Sequence, residues 1–160
     1  MYFGVGGKVP ETLESYRYNF DDNFHMTTHF LGKEPLTMAV AAESLAAIRV
    51  AADQLSPFSM KIKEFATYGP PEAQARVAVF EAPRYIAVWR EAIAIILGEL
   101  GATVSRTWPW SAHMTYAYGF DLDVVSVVEQ QLLEAKATIN IVSLEMYDGT
   151  GKLVVPLTKS

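Results

Sequence analysis

One tripeptide occurs twice in this chain. His25-Met26-Thr27 and His113-Met114-Thr115 are identical, and each lies near the start of one half of the 160 residues. Each sits in a short, aromatic-rich run that ends in glycine: Phe24-His25-Met26-Thr27-Thr28-His29-Phe30-Leu31-Gly32 and Ala112-His113-Met114-Thr115-Tyr116-Ala117-Tyr118-Gly119. In an extended strand, residues i and i+2 point to one face. His25 and Thr27 therefore share a face, as do His113 and Thr115. Met26 and Met114 turn the other way, toward a core, and Tyr116 goes with them. By the same parity His29 falls on the face of His25 and Thr27. A single His-x-Thr carries no information. Two identical copies on similar strands require a fold that presents the same strand twice.

The stretches around the motifs read as alternating strands and helices. Met1 to Gly7 is strand-like, and Pro10 to Tyr18 is a short helix or turn, broken by Asp21-Asp22-Asn23. Met38 to Leu55 is Ala-rich with apolar residues at helical spacing, and Ser56-Pro57 ends it. Phe58, Met60 and Ile62 alternate with Ser59, Lys61 and Lys63 as in a half-buried strand. Tyr68-Gly69-Pro70-Pro71 is a turn, and Ala75 to Phe80 is the partner strand. Pro83 opens a helix from Arg84 to Leu100 that stops at Gly101. Asp121 or Asp123 caps a helix from Val124 to Ala137. Thr138 to Tyr147 and Lys152 to Leu157 form a hairpin across Asp148-Gly149-Thr150-Gly151. The reading is α+β: two similar halves, each with an antiparallel sheet, helices and one His-x-Thr strand, packed as two lobes of one domain over residues 1–160.

Composition narrows the function. Hydrophobic residues make up 51% of the chain, which excludes a disordered polypeptide. There is no cysteine, hence no disulfide and no thiolate ligand, which is compatible with a reducing cytoplasm. The N-terminus carries no basic-then-apolar signal segment, and no apolar run is long enough to span a bilayer, so no membrane partner is expected. A net charge of −5 argues against a broad grip on long nucleic acid. A small phosphorylated ligand held by a few local donors remains compatible with it.

If the two lobes bring their motif strands across one groove, two imidazoles flank one substrate atom. Histidine titrates near neutrality, so one ring can accept a proton while the other donates one. The two Thr hydroxyls can bond the non-bridging oxygens of a phosphodiester. This chemistry needs no metal or other cofactor, and no Asp, Glu or Cys stands at ligand spacing beside the histidines.

With its paired His-x-Thr motifs, the first continuing to Phe30-Leu31-Gly32, the chain resembles the 2H phosphoesterase superfamily. These are the LigT-like proteins that include RNA 2′,3′-cyclic phosphodiesterases. The resemblance covers nearly the whole chain. It implies a bilobal α+β fold with a central groove and metal-independent hydrolysis of a phosphodiester. It assigns His25 and His113 as the acid–base pair and Thr27 and Thr115 as phosphate ligands. Phage-encoded members of the superfamily degrade cyclic oligonucleotide immune signals. The compactness and acidity of this chain fit that anti-CBASS branch, which implies a host cytoplasmic location. The alternatives are an enzyme acting on RNA ends with a 2′,3′-cyclic phosphate or on 2′-5′ linked oligonucleotides, and a protein that sequesters a nucleotide without cutting it.

A nucleotide site also needs flat surfaces for base stacking. Trp108 and Trp110, just before the second motif, and Tyr68, in the turn between strands, are the first candidates. His29 is expected to line the groove beside His25. Lys61 is a candidate phosphate contact, and Lys63 shares its position on a strand face turned from the core.

Overall fold

The computed structural model describes residues 2–8, 25–31, 38–104, 110–147 and 152–159. The strands are β1 (Tyr2–Lys8), β2 (His25–Phe30), β3 (Phe58–Tyr68), β4 (Ala75–Glu81), β5 (His113–Tyr118), β6 (Thr138–Tyr147) and β7 (Lys152–Pro156). The helices are α1 (Met38–Gln54), α2 (Arg84–Glu99) and α3 (Leu122–Glu134), with a short 3-10 turn at Pro71–Ala73 between β3 and β4. The expected helix at 10–18 and the turn at 148–151 lie outside the described residues.

Each helix forms where apolar residues recur at helical spacing. In α1, Ser44, Ile48, Ala51 and Ala52 are buried, and the helix packs on β6 and β7. In α2 the buried stripe is Ile86, Ile93, Ala94 and Leu97. Gly101, with φ of 95°, takes the left-handed position after the helix, and Ala102 N–H returns to the Leu97 carbonyl. Asp121 caps α3 by accepting from the Asp123 N–H at 2.9 Å. That helix lies against β3.

All seven strands join one antiparallel sheet in the order β2-β1-β6-β3-β4-β5, with β7 also paired to β6. The long strand β6 is the hinge of this arrangement. One edge pairs with β1. Along the other edge, Thr138 to Ile141 pair with β3 and Ser143 to Tyr147 pair with β7. The lobes are therefore not consecutive halves of the chain, as the element order alone implies. The first contains β2, β1, β6, β7 and α1, so the earliest strands pair with a late one. The second contains β3, β4, β5 and α3. At either end of the hydrogen-bonded order stand β2 and β5, the two motif strands, and these come back into contact with each other. The curled sheet wraps one buried cluster that runs through both lobes and includes Val5, Met26, Ile62, Met114, Ile139 and Leu144.

The motif strands match closely. Both follow one burial sequence: half-buried, buried, half-buried, buried, buried, exposed. Both also carry a β-bulge one residue after the threonine. In β2, Gly4 faces Thr27 and Phe3 faces His29, which makes Thr28 the extra residue of the bulge. In β5, Val77 faces Thr115 and Arg76 faces Ala117, which makes Tyr116 the extra residue there. An extra residue reverses the alternation of faces beyond it.

Candidate active site

A groove of about 740 Å³ opens where β2 and β5 meet. Thr27, Thr28 and Phe30 line it from the first motif strand and His113 from the second, with Trp110 and Ser111 just before that strand and Arg90, Thr67, Tyr68 and Gly69 completing the wall. Such a volume lies within the range of small-ligand pockets, roughly 300–1,000 Å³. Met26 and Met114 point into the core, at 0% and 1% exposure. His25 and Thr115 are half-buried on the strand faces of Thr27 and His113, though they do not line this cavity.

His113 is held at one nitrogen. Nδ1 lies 2.8 Å from the Ser111 carbonyl, an acceptor, so Nδ1 carries the proton and donates it. A neutral ring then presents its Nε2 lone pair. The Tyr68 ring stands edge-on to His113 with centroids 5.0 Å apart, and its hydroxyl is 3.3 Å from Ser111 Oγ. Trp110 ties the lobes together: its Nε1–H donates to the Thr27 carbonyl at 3.1 Å. The Arg90 guanidinium lies over the Trp110 ring, 5.2 Å from its centroid, and Nε donates to the Thr28 carbonyl at 2.8 Å. Among the residues lining the groove, Arg90 supplies the permanent positive charge.

On the first lobe, the groove face is built in rows across the sheet. His25, Gly6 and Ser143 form one row, and Thr27, Gly4 and Glu145 form the next. Gly4 is required by a close approach, since a Cβ there would run into the Met26 carbonyl of β2.

Behind the second motif, the bulged Tyr116 is anchored from the core side. Its hydroxyl donates to Glu129 Oε1 of α3 at 2.7 Å. Arg76 of β4 grips the same carboxylate through Nε and Nη2, and reaches Thr67 with Nη1 at 3.0 Å. Burial, reinforced by the hydrogen bond to Glu129, holds the Tyr116 phenol well above its ordinary range.

Two expectations need correction. His29 does not share the face of His25 and Thr27. The bulge at Thr28 turns His29 inward to 1% exposure and puts Phe30 on the groove side. There His29 Nε2–H donates to the Arg90 carbonyl at 2.7 Å, Thr28 Oγ1 bonds Nδ1 at 2.8 Å, and Trp89 packs edge-on. Lys61 is exposed on β3 opposite Glu81 and Thr138, and it does not line the groove. It stands about 23 Å along the strand from Tyr68 at about 3.3 Å per residue. Tyr68 and Trp110 do line the groove, while Trp108 lies outside the described residues. Arg90, Phe30, Thr28, Ser111 and Thr67 are missed by sequence reasoning. Arg90 sits on an amphipathic helix with no local mark, and only the fold carries it to the groove.

Neither the family models nor the curated proteins yield a match to this chain. Solved structures do. Kluyveromyces marxianus Usb1 superposes with a TM-score of 0.59 at 11% identity, over 98% of this chain and 97% of that one. The same protein with uridine monophosphate gives 0.58. Escherichia coli LigT complexed with 3′-AMP gives 0.52 at 13% identity, over 98% of this chain and 94% of that one. At such identities the likeness is one of fold, and it is the α+β fold that the paired motifs imply.

Proposed function

For a chain that shares the fold of Usb1 and LigT, we propose metal-independent phosphodiesterase activity on a small nucleotide, with a cyclic oligonucleotide as the preferred substrate class. The observation that carries this reading is the meeting of two identical, identically bulged His-x-Thr strands at one groove. One imidazole takes the proton from the attacking hydroxyl, and the other protonates the leaving oxygen. Thr27 and Thr115 donate to the non-bridging oxygens as charge builds on them, and Arg90 adds positive charge at the wall. Tyr68, Trp110 and Phe30 offer flat surfaces to a base.

The nucleotides named in the neighbouring structures, uridine monophosphate and 3′-AMP, support a ligand of this chemical class. The pocket-like groove and the net charge of −5 favour a compact substrate over a long RNA track. Cyclic dinucleotides and trinucleotides, 2′,3′-cyclic mononucleotides, 2′-5′ oligonucleotides and linear RNA should be incubated with the protein in EDTA. The expected result is cleavage of a cyclic oligonucleotide ahead of the others. Cleavage of 2′,3′-cyclic phosphates alone would replace the substrate class. Quantitative recovery of uncut, bound nucleotide would replace the enzyme by a sequestering protein.

A further inference from the structure

The groove face of the first lobe holds a buried charge that the proposed reaction leaves without a role. Glu145, on β6, is 3% exposed. A buried carboxylate is costly unless paired, and Lys152 Nζ of β7 lies 3.2 Å from its Oε2. The other oxygen is aimed elsewhere. Oε1 occupies the space above Gly6, so that a Cβ at residue 6 would collide with it. Gly6 is the direct cross-strand partner of His25. The carboxylate thus leans out of its own row over Gly6, where it shares the space with Ser143 Oγ, and the residue next to Gly6 across the sheet is His25.

The second lobe differs at the equivalent position. Val79 stands opposite His113, and Glu64 lies one strand further on. Val79 carries a side chain where Gly6 has none, and Glu64 is exposed. Among the described residues, the other titratable groups on or across this groove face are Lys152 of β7, Tyr147 of β6, Tyr68 of β3, Arg90 of α2, and His113 and Tyr118 of β5. The cations among them disfavour a charged His25. Glu145 favours one.

Resting on the reading that His25 belongs to the acid–base pair, we infer that Glu145 is a positioning residue for His25. It orients the imidazole across Gly6 and keeps it protonated, which makes His25 the general acid and leaves His113 as the base. An opposite charge at about 4–6 Å moves a titration by roughly 1–3 pH units.

The test follows imidazole titration by NMR in the intact protein, whose 3 histidines are assigned with His25→Asn and His113→Asn. Glu145→Gln keeps the shape and removes the charge. It is expected to lower the His25 titration by roughly 1–2 pH units and leave His113 in place. Lys152→Gln removes the competing cation and is expected to raise it. With whichever phosphodiester the wild type cleaves, Glu145→Gln should bring down the alkaline limb of the kcat–pH profile and leave KM nearly unchanged. Movement of the acid limb instead overturns the assignment of His25 as the acid. A His25 titration indifferent to both substitutions overturns the inference whatever the protein cleaves. If Glu145→Gln does not fold, Lys152→Gln decides alone, and an unmoved or lowered His25 titration overturns it. A wild type that cleaves no phosphodiester, yet whose His25 answers to both charges, supports the pairing and overturns the proposed activity.

Discussion

Three histidines meet three different surroundings, and each environment argues for a separate behaviour. His113 lines the groove with Nδ1 committed to a carbonyl, His25 stands half-buried in the row of Gly6, and His29 is enclosed. Replacing His25 or His113 by Ala is expected to lower kcat by roughly 10²–10⁴ with the melting temperature nearly unchanged. Under the proposed mechanism the double variant should lose much less than the product of the two, as groups that serve one transition state do. Thr27→Ala and Thr115→Ala should do less, at most the ~3–4 kcal/mol of a lost oxyanion donor. Steady-state kinetics beside thermal melts check all of these. His29→Ala should reverse the pattern. It removes the hydrogen bonds to the Arg90 carbonyl and to Thr28 Oγ1 and should cost roughly 1–3 kcal/mol of stability, read by denaturant unfolding. Activity per folded molecule should largely survive.

At the scale of elements, the bulges decide what reaches the groove. The strand and helix boundaries are legible in the sequence because their signals are local: the alternation of Phe58, Met60 and Ile62, the Ala-rich stripe of α1, Gly101 after α2 and Asp121 before α3. The bulges are not legible. Thr28 and Tyr116 break no alternation by residue type, and only the register against β1 and β4 reveals them. Strict parity therefore misplaces His29, overlooks Phe30, and still assigns Tyr116 to the core correctly. What holds the second bulge is the Tyr116–Glu129–Arg76 network joining β5, α3 and β4. It has a pH signature. The phenol is raised in the folded protein, so its contribution is complete below the unfolded value of about 10 and is lost as pH climbs above it. Stability should fall in strongly alkaline solution, and Tyr116→Phe should flatten that fall. Glu129→Ala, which leaves Arg76 facing an empty site, should cost roughly 3–5 kcal/mol in denaturant unfolding.

Across the whole molecule, the groove depends on a strand shared by both lobes. Ending the chain after Tyr147 would remove β7, uncover one edge of β6 and delete the partner of Glu145. Such a truncation is expected to abolish activity and broaden or eliminate the thermal transition, as circular dichroism and a phosphodiesterase assay would record. The same pairing sets a schedule. During synthesis β3, β4, α2, β5 and α3 emerge with their own partners at hand, so the lobe of His113 can form early. The strand of His25 is made sooner still, yet β1 beside it must wait for β6, nearly the full length of the chain later. Contacts so distant in sequence form slowly. The two motif strands therefore come together only after β6 has been made, so the groove between them closes only once the sheet that joins the lobes is complete.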